Sequence, residues 1–323
     1  MCRRYLSDDR SKAIPFYSIF CTDSFTNGDR RLMKLAGVVT LYHPDDEVLG
    51  NIESYLSALE VLYVMDNTET PDPRWALWAE KQPHVKYVAF HDNKGISYAL
   101  NYALKETDCD YLLTMDQDSR FFPEMMPTYK HLVEESETEA PDKVAMYAVN
   151  YDGEAVDADS KRVRAAITSG SIISVKIAIA LGGFDEALFI DEVDLEYCYR
   201  AEERGYHIIE FPSIKMKHSI GNRTYHHLFS FTYNTFNHSA IRRYYIFRNK
   251  IYVAKRYPAV RKEYILESVK MIIKILLAEK QKASKMKYIF GGGERWSPWA
   301  YGEISREIVF DRLSAGIATR GAA

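Results

Sequence analysis

From residue 34 onward the chain alternates short, wholly apolar runs with segments whose apolar residues recur every three or four positions. Runs of the first kind predict buried strands and those of the second kind amphipathic helices. Their regular succession predicts an α/β fold with a mostly parallel central sheet flanked by helices. Strands are expected at residues 35–41, 60–65, 85–90, 111–116 and 144–149. Helical faces fall between them: Val48, Ile52, Tyr55, Leu56 and Leu59; Trp75 and Trp78; Ile96, Leu100, Ala103 and Leu104; and Met125, Met126, Tyr129, Leu132 and Val133, with residues 134–139 as an acidic, solvated helix end. A polar segment, 152–164, reads as a loop or hairpin over a site. Buried structure resumes at 167–174 and a turn covers 181–185. Residues 191–204 form a helix closed by Gly205, and a strand at 206–211 is stopped by Pro212.

The two ends differ from this middle. Residues 1–33 lack periodicity and are expected to be a poorly packed N-terminal extension, or the product of a start assigned too far upstream. A secretory signal does not fit, because the apolar stretch after Arg3 and Arg4 is short and broken by Pro15 and Ser18. An α/β catalytic domain at 34–224 is followed at 225–323 by an aromatic and basic helical region. There Ile265, Val269, Ile272, Ile273 and Leu276 share one helix face, and residues 259–288 hold eight Lys/Arg against three Glu. Such a helix suits either an anionic membrane surface or packing on the preceding domain with its lysines in water.

Composition narrows the function classes. With 47% apolar and 13% aromatic residues, the 323-residue chain can bury a sizeable core. A net charge of -3 and a pI near 6.3 exclude nucleic-acid binding through a bulk basic surface. No run approaches the roughly 18 to 20 apolar residues of a membrane span. Cys2, Cys21, Cys109 and Cys198 form no metal-binding spacing, so reduced thiols in a cytoplasmic protein are expected.

Two acidic clusters carry the candidate chemistry. The fourth strand ends in Asp116-Gln117-Asp118, and strand alternation would send both carboxylates to one side, at the edge where an α/β sheet holds its ligand. Such a pair suits a hard divalent cation, Mg2+ or Mn2+, that completes its shell with water and substrate phosphates. A loop that merely opens on acids is the ordinary alternative. Asp191, Glu192, Asp194 and Glu196 crowd a predicted helix start, where capping accounts for one or two of them. A general base for an attacking hydroxyl accounts for another.

In their order along the chain, these segments resemble the inverting family 2 glycosyltransferases of GT-A fold, most closely their bacterial rhamnosyltransferase branch, over roughly residues 35–250. Residues 38–44, with Thr40 and Tyr42, resemble the family's first strand and nucleotide-contacting turn. Asp66 and Asn67 resemble its base-binding turn, and Asn93, Gly95 and Asn101 its donor-side turn and helix. Asp116, Gln117 and Asp118 resemble its metal motif, with His218 as a further metal or diphosphate ligand. Ser169 and Gly170 resemble its sugar-side turn, and Asp191, Glu192 and Asp194 its base segment. Residues 243–249 complete the series.

The resemblance implies metal-dependent transfer of a sugar, with inversion, from a nucleotide diphosphate sugar to a hydroxyl of a saccharide acceptor in bacterial surface polysaccharide (O-antigen) synthesis. It favours dTDP-rhamnose and leaves UDP-sugars open. It implies Asp118 as the direct metal ligand, and Asp116 on the donor ribose or joined to the ion through water. Asp191 is implied as the base, with Glu192 and Asp194 behind it, because the rhamnosyltransferase branch keeps Asp at the first of these positions. Lipid-linked acceptors, a place on the inner face of the cell membrane and a homodimer are all compatible with it; nucleic acid is not a partner. A sugar nucleotidyltransferase would carry a Gly-rich, Arg/Lys-bearing loop near the first strand, which the chain lacks. A phosphatase with the same acid spacing would want Thr or Val where Arg120 stands, and a non-catalytic nucleotide-sugar binder has no need of intact acid pairs.

Overall fold

A computed structural model of the chain describes residues 33–150, 160–218, 224–228, 231–235 and 237–291, with the backbone alone for 218, 224–228 and 231–235. The expected extension at 1–32 and residues 151–159 of the polar segment lie outside these residues. Elements follow in the order β1 (Leu35–Leu41), α1 (Glu47–Leu56), β2 (Val61–Asp66), α2 (Pro73–Ala79), β3 (Val85–Ala89), α3 (Ile96–Glu106), β4 (Tyr111–Asp116), β5 (Ser119–Phe121) and α4 (Met125–Glu139). Then come β6 (Val144–Asn150), β7 (Lys161–Val163), β8 (Ser171–Ser174), α5 (Val175–Leu181), a 3-10 turn (Glu186–Leu188), α6 (Val193–Glu203) and β9 (His207–His218). A hairpin of β10 (Thr224–Leu228) and β11 (Phe231–Thr235) leads to α7 (Ala240–Arg256), α8 (Arg261–Ala278) and α9 (Lys282–Gly291).

Two compact units divide the chain. The first takes the described residues up to Asn93, then Tyr98–Phe184, then Asp194 into β9; the second takes Lys94–Ser97, Asp185–Val193 and the chain after residue 220. In the first, the sheet order is β3-β2-β1-β4-β8-β6-β9-β5, with β7 also on β9. Strands β1, β2, β3, β4, β6 and β9 run one way and β5, β7 and β8 the other, so the sheet is mixed but mostly parallel. β1 is buried along nearly its whole length between two parallel neighbours, which is why its sequence is apolar at every position but the half-buried Thr40. The faces of α1 (Val48, Ile52, Tyr55) and α4 (Met126, Tyr129, Val133) close one core with these strands, as their spacing predicts.

Two expectations need correction in this unit, and α5 was not anticipated. The helix expected from residue 191 begins at Val193, leaving Asp191 and Glu192 outside it. The strand expected to stop at Pro212 runs on to His218. Val149 pairs with Phe211 and Asn150 with Lys215, so residues 212–214 form a bulge, and the proline sits where its missing N–H is not needed by the ladder. α5 was hidden because its Val and Ile content favours a strand. Ser174 Oγ accepts from Ile177 N–H at 3.4 Å at its start, and Gly182 ends it in left-handed backbone.

The second unit is organised by α7, α8 and α9. Met271, Ile275 and Ile289 form its apolar centre against Ile246, Phe247 and Met286. Beside them lies a buried charge cluster: the Glu279 carboxylate accepts from Arg243 and, at 2.8 Å, from Lys285 Nζ. Two cations on one carboxylate leave a positive interior. α8 is two-faced. Tyr264, Ser268, Met271 and Ile275 are buried, whereas Ile265, Leu266, Val269, Ile273, Leu276 and Leu277 are 47% to 60% exposed. The apolar face expected from the sequence is therefore largely the outer one among the described residues. No described helix is long and apolar enough to cross a membrane.

Burial, and then the cations Arg242, Arg243 and Lys285, hold the His238 imidazole down to about 3. An unfolded histidine binds a proton near pH 6.5. Between those values the unfolded chain binds more protons than the fold, so stability falls as the solution is acidified through that window. A His238→Gln variant should lose less melting temperature than the parent between pH 7 and pH 4. Equal losses would assign the acid sensitivity elsewhere.

Candidate active site

β1 and β4 are neighbours in the sheet although β2 and β3 lie between them in sequence. Open α/β sheets bind ligands outside the strand carboxyl ends at such a switch point. Register sets Thr40, half-buried, beside Asp116, and Leu41 beside Asp66. β4 ends at Asp116, Gln117 and Asp118 form a turn, and β5 starts at Ser119, so strand alternation does not place Asp118. A chain of hydroxyls links the two acids instead. Asp116 N–H donates to Ser169 Oγ at 3.2 Å, Ser169 Oγ to Ser119 Oγ at 2.8 Å, and Ser119 Oγ to Asp118 Oδ1 at 3.4 Å. Both serines are buried, so breaking one link would strand a polar group.

Neighbouring segments fix this turn. Gly170, in left-handed backbone, donates its N–H to Thr114 O at 2.8 Å, and a Cβ there would lie 2.5 Å from Met216 Sδ. β9 sets the His218 backbone opposite Ser119; the His218 side chain lies outside the description. Gln117 is committed to holding β1: its Oε1 accepts from Tyr42 N–H at 2.8 Å and its Nε2 donates to Tyr42 O at 3.2 Å. Asn101, also expected at the donor, is buried with its carboxamide bonded to both the N–H and the O of Phe184, at 2.7 and 2.9 Å. The buried Asp66 carboxylate accepts from Thr68 N–H at 2.8 Å and Tyr87 Oη at 2.7 Å, and Asn67 is buried beside it. Tyr42 stays exposed, with its hydroxyl near Glu69 and Asn93.

The donor set at the turn is two hard carboxylates, Asp116 half-buried and Asp118 exposed. Among the described residues no three His, Cys, Asp or Glu side chains could together hold an ion. That set fits a divalent cation that keeps coordination positions for water and for oxygens of a bound molecule.

The segment before α6, in the second unit, has an unusual backbone. Phe189, Asp191 and Glu192 have φ of 62°, 62° and 64°. Phe189, at ψ -61°, centres a γ-turn closed by Ile190 N–H on Leu188 O at 2.7 Å. Non-glycine residues at positive φ cost on the order of 1–2 kcal/mol each. Gly95 (φ +87°) makes room for this loop: Ile96 N–H donates to Phe189 O at 2.8 Å, and a Cβ on Gly95 would meet that oxygen at 2.7 Å.

The acids of the second cluster have different partners. Asp191, partly exposed, pairs with Arg242, whose Nη2 reaches Oδ1 at 3.1 Å and whose Nε reaches Oδ2 at 3.3 Å. Glu192 is buried between Lys250 Nζ at 3.0 Å and Tyr264 Oη at 2.7 Å. Burial works to discharge Lys250, and the Glu192 carboxylate overrides it, raising the ammonium above its ordinary range. In the first unit, Asp194 Oδ1 accepts from Leu195 N–H at 2.9 Å in the first turn of α6. Glu196 is buried in a two-point pair with Arg200, at 3.0 and 2.8 Å. Of the acids considered as the base, Asp191 alone combines an exposed carboxylate with a place outside the helix.

Residues 38–163 match the family model described as glycosyl transferase family 2. Over these residues the chain carries a family 2 glycosyltransferase domain. The chain is 26% identical over 275 residues to the dTDP-rhamnosyl transferase RfbF of Shigella flexneri, covering 78% of this chain and 90% of that protein. A mannosyltransferase from Pyrobaculum calidifontis, solved with GDP-Man and Mn2+, superimposes with a TM-score of 0.53 at 15% identity, over 88% of this chain and 80% of that one. GalNAc-T7, solved with UDP, GalNAc and Mn2+, gives 0.50 at 13% identity over 59% of this chain; the glycosyltransferase covers 44% of that structure's length. These likenesses establish the GT-A fold, and both neighbours were crystallised with Mn2+.

Several residues that shape the glycosyltransferase's acidic segments carry no sequence signal. Ser119 is one hydroxyl among many, and Arg242, Lys250 and Tyr264 lie more than fifty residues from the acids they meet. The geometry assigns Glu192 to stability. Breaking the Glu192–Lys250 pair by Glu192→Leu should cost about 3 kcal/mol, because it leaves a buried ammonium unpaired. Asp191→Asn, at a partly exposed pair, should cost about 1 kcal/mol or less. Chemical denaturation of the two variants checks this, and the reverse order would overturn the division of roles.

Proposed function

We propose that the enzyme transfers rhamnose from dTDP-rhamnose to a hydroxyl of a saccharide acceptor, with inversion at the anomeric carbon. The observation that carries this reading is the serine-linked Asp116–Asp118 pair at the sheet's switch point. The likeness to a dTDP-rhamnosyl transferase over most of both chains supports the donor. In this reading Thr40, Tyr42, Asp66, Asn67 and Asn93 frame the nucleotide, and Ser169 and Gly170 shape the sugar side. Asp118, Asp116 and His218 would hold Mg2+ or Mn2+, which supplies neutralising charge for a diphosphate leaving group.

Asp191 takes the proton of the acceptor hydroxyl while that oxygen bonds to the anomeric carbon; the carbon–phosphate oxygen bond breaks, and the nucleoside diphosphate departs with the electron pair. The carboxylate has lone pairs enough to accept this proton beside its two bonds from Arg242. Glu192 and Asp194 are not needed for the step. Asp191→Asn should lower turnover roughly 10²- to 10⁴-fold, the usual value of general-base help, with nucleotide affinity retained in calorimetry. Asp118→Ala should instead remove the Mn2+ dependence of nucleotide binding. Full transfer by Asp191→Asn would reject the base, and unchanged Mn2+ dependence in Asp118→Ala the metal site.

The acceptor is proposed to be lipid-linked and met at an anionic bilayer through the outer face of α8. Helical periodicity places Lys262 on the same side as the exposed stripe Ile265, Val269, Ile273 and Leu276, and Lys280 follows the helix's last turn, so apolar burial and charge attraction act together. Full-length protein should float at low salt with vesicles containing phosphatidylglycerol and not with neutral vesicles. Ile273→Glu with Leu276→Glu should abolish flotation. Failure to float, or a dimer dispersed by the same change, would replace the bilayer with a second copy of the chain.

A further inference from the structure

We infer that Asn249 is a positioning residue for Asp191, holding the base's main chain in its strained conformation; this rests on the reading of Asp191 as the base. Asn249 is fully buried in α7. Its carboxamide nitrogen lies 2.8 Å from Leu188 O, 2.7 Å from Ile190 O and 2.8 Å from Asp191 O. Two hydrogens are thus shared among three carbonyls of one loop. Those carbonyls flank the residues at positive φ, where the backbone cannot satisfy its oxygens through a helix or a ladder.

The clamp is itself braced. Arg248 Nε donates to Asn249 Oδ1 at 2.9 Å, which orients the amide with its nitrogen toward the loop. Arg248 Nη2 donates to Ala187 O at 2.5 Å and to Leu188 O at 3.1 Å, extending the grip by one residue. Arg242 and Lys250, on the same helix, take the side chains of Asp191 and Glu192. One helix therefore fixes both the backbone and the carboxylates of the segment. Asn249 reaches the acid's peptide group through its carbonyl, while the carboxylate is met by Arg242. A base displaced by about 1 Å loses on the order of 10²-fold in rate without any loss of substrate affinity.

The test uses the full chain, dTDP-rhamnose and Mn2+, with water as the acceptor hydroxyl and release of dTDP as the signal, and compares Asn249→Ser, Asp191→Asn and the double variant. Asn249→Ser should lower kcat about 10²-fold with the donor KM within about twofold, and should add nothing in the Asp191→Asn background, because it acts through that residue. An equal loss in both backgrounds would overturn the positioning role. Retained turnover in Asp191→Asn alone would instead reject the base. Hydrogen exchange reads the clamp without any donor: amides 188–192 should exchange faster in Asn249→Ser, with β1 and β4 unchanged. Should that variant fail to fold, Asn249→Gln, which keeps the amide on a longer arm, should show an intermediate kcat and the same local exchange. Unchanged exchange in the folded variant would also overturn the proposal.

Discussion

The parallel register between β1 and β4 is the constraint on which the chemistry of the first unit depends. Pairing Thr40 with Asp116 ends both strands near one level, at the switch point where open α/β sheets hold their ligands. Everything polar at that edge is then organised by short bonds from segments far apart in sequence. Ser169 arrives from the start of β8, Ser119 from β5 and Gln117 from the turn itself. Buried hydroxyls of this kind stabilise little on balance, since each replaces a bond to water, but each is costly to leave unmade. The edge is therefore specified by the penalty for disorder more than by any strong attraction.

The acidic segment of the second unit follows a different logic. Its backbone adopts conformations that the residue types at 189, 191 and 192 disfavour, and side chains of α7 and α8 hold it there. Strain of this sort persists where surrounding contacts over-determine the chain, and it clusters at functional positions. Glu192 and Asp191 illustrate how adjacent residues of like chemistry diverge. One is buried with an ammonium and a phenol; the other keeps a carboxylate reachable from solvent.

Much of this was legible in the sequence. Apolar runs mark β1, β2, β4 and β6, and three- and four-residue spacing marks α1, α3 and α4, because burial on two faces or on one stripe leaves a periodic record. Pro212 misled because a missing N–H matters only where a ladder needs it, and the bulge removes that need. The start of α6 was misplaced because capping acids and functional acids look alike, and left-handed backbone at Asp191 and Glu192 leaves no compositional trace. Gln117 and Asn101 sit inside recognisable motifs, yet their amides hold the main chain. Long-range partners such as Lys250 and Tyr264 for Glu192 are invisible without the fold.

The bulge at 212–214 divides β9 into two stretches of different pairing. The first pairs with β6; the second keeps one β6 pairing at Lys215 and, from Met216, pairs with β5 and carries the His218 backbone to the level of Ser119. A deletion of one residue among 212–214 could be absorbed by the excess chain, whereas the same deletion at 215–217 would flip His218 to the opposite side of its ribbon. Slack at one point thus lets the β5-paired end of β9 change length while the pairing of Val144–Val149 with His207–Phe211 is kept.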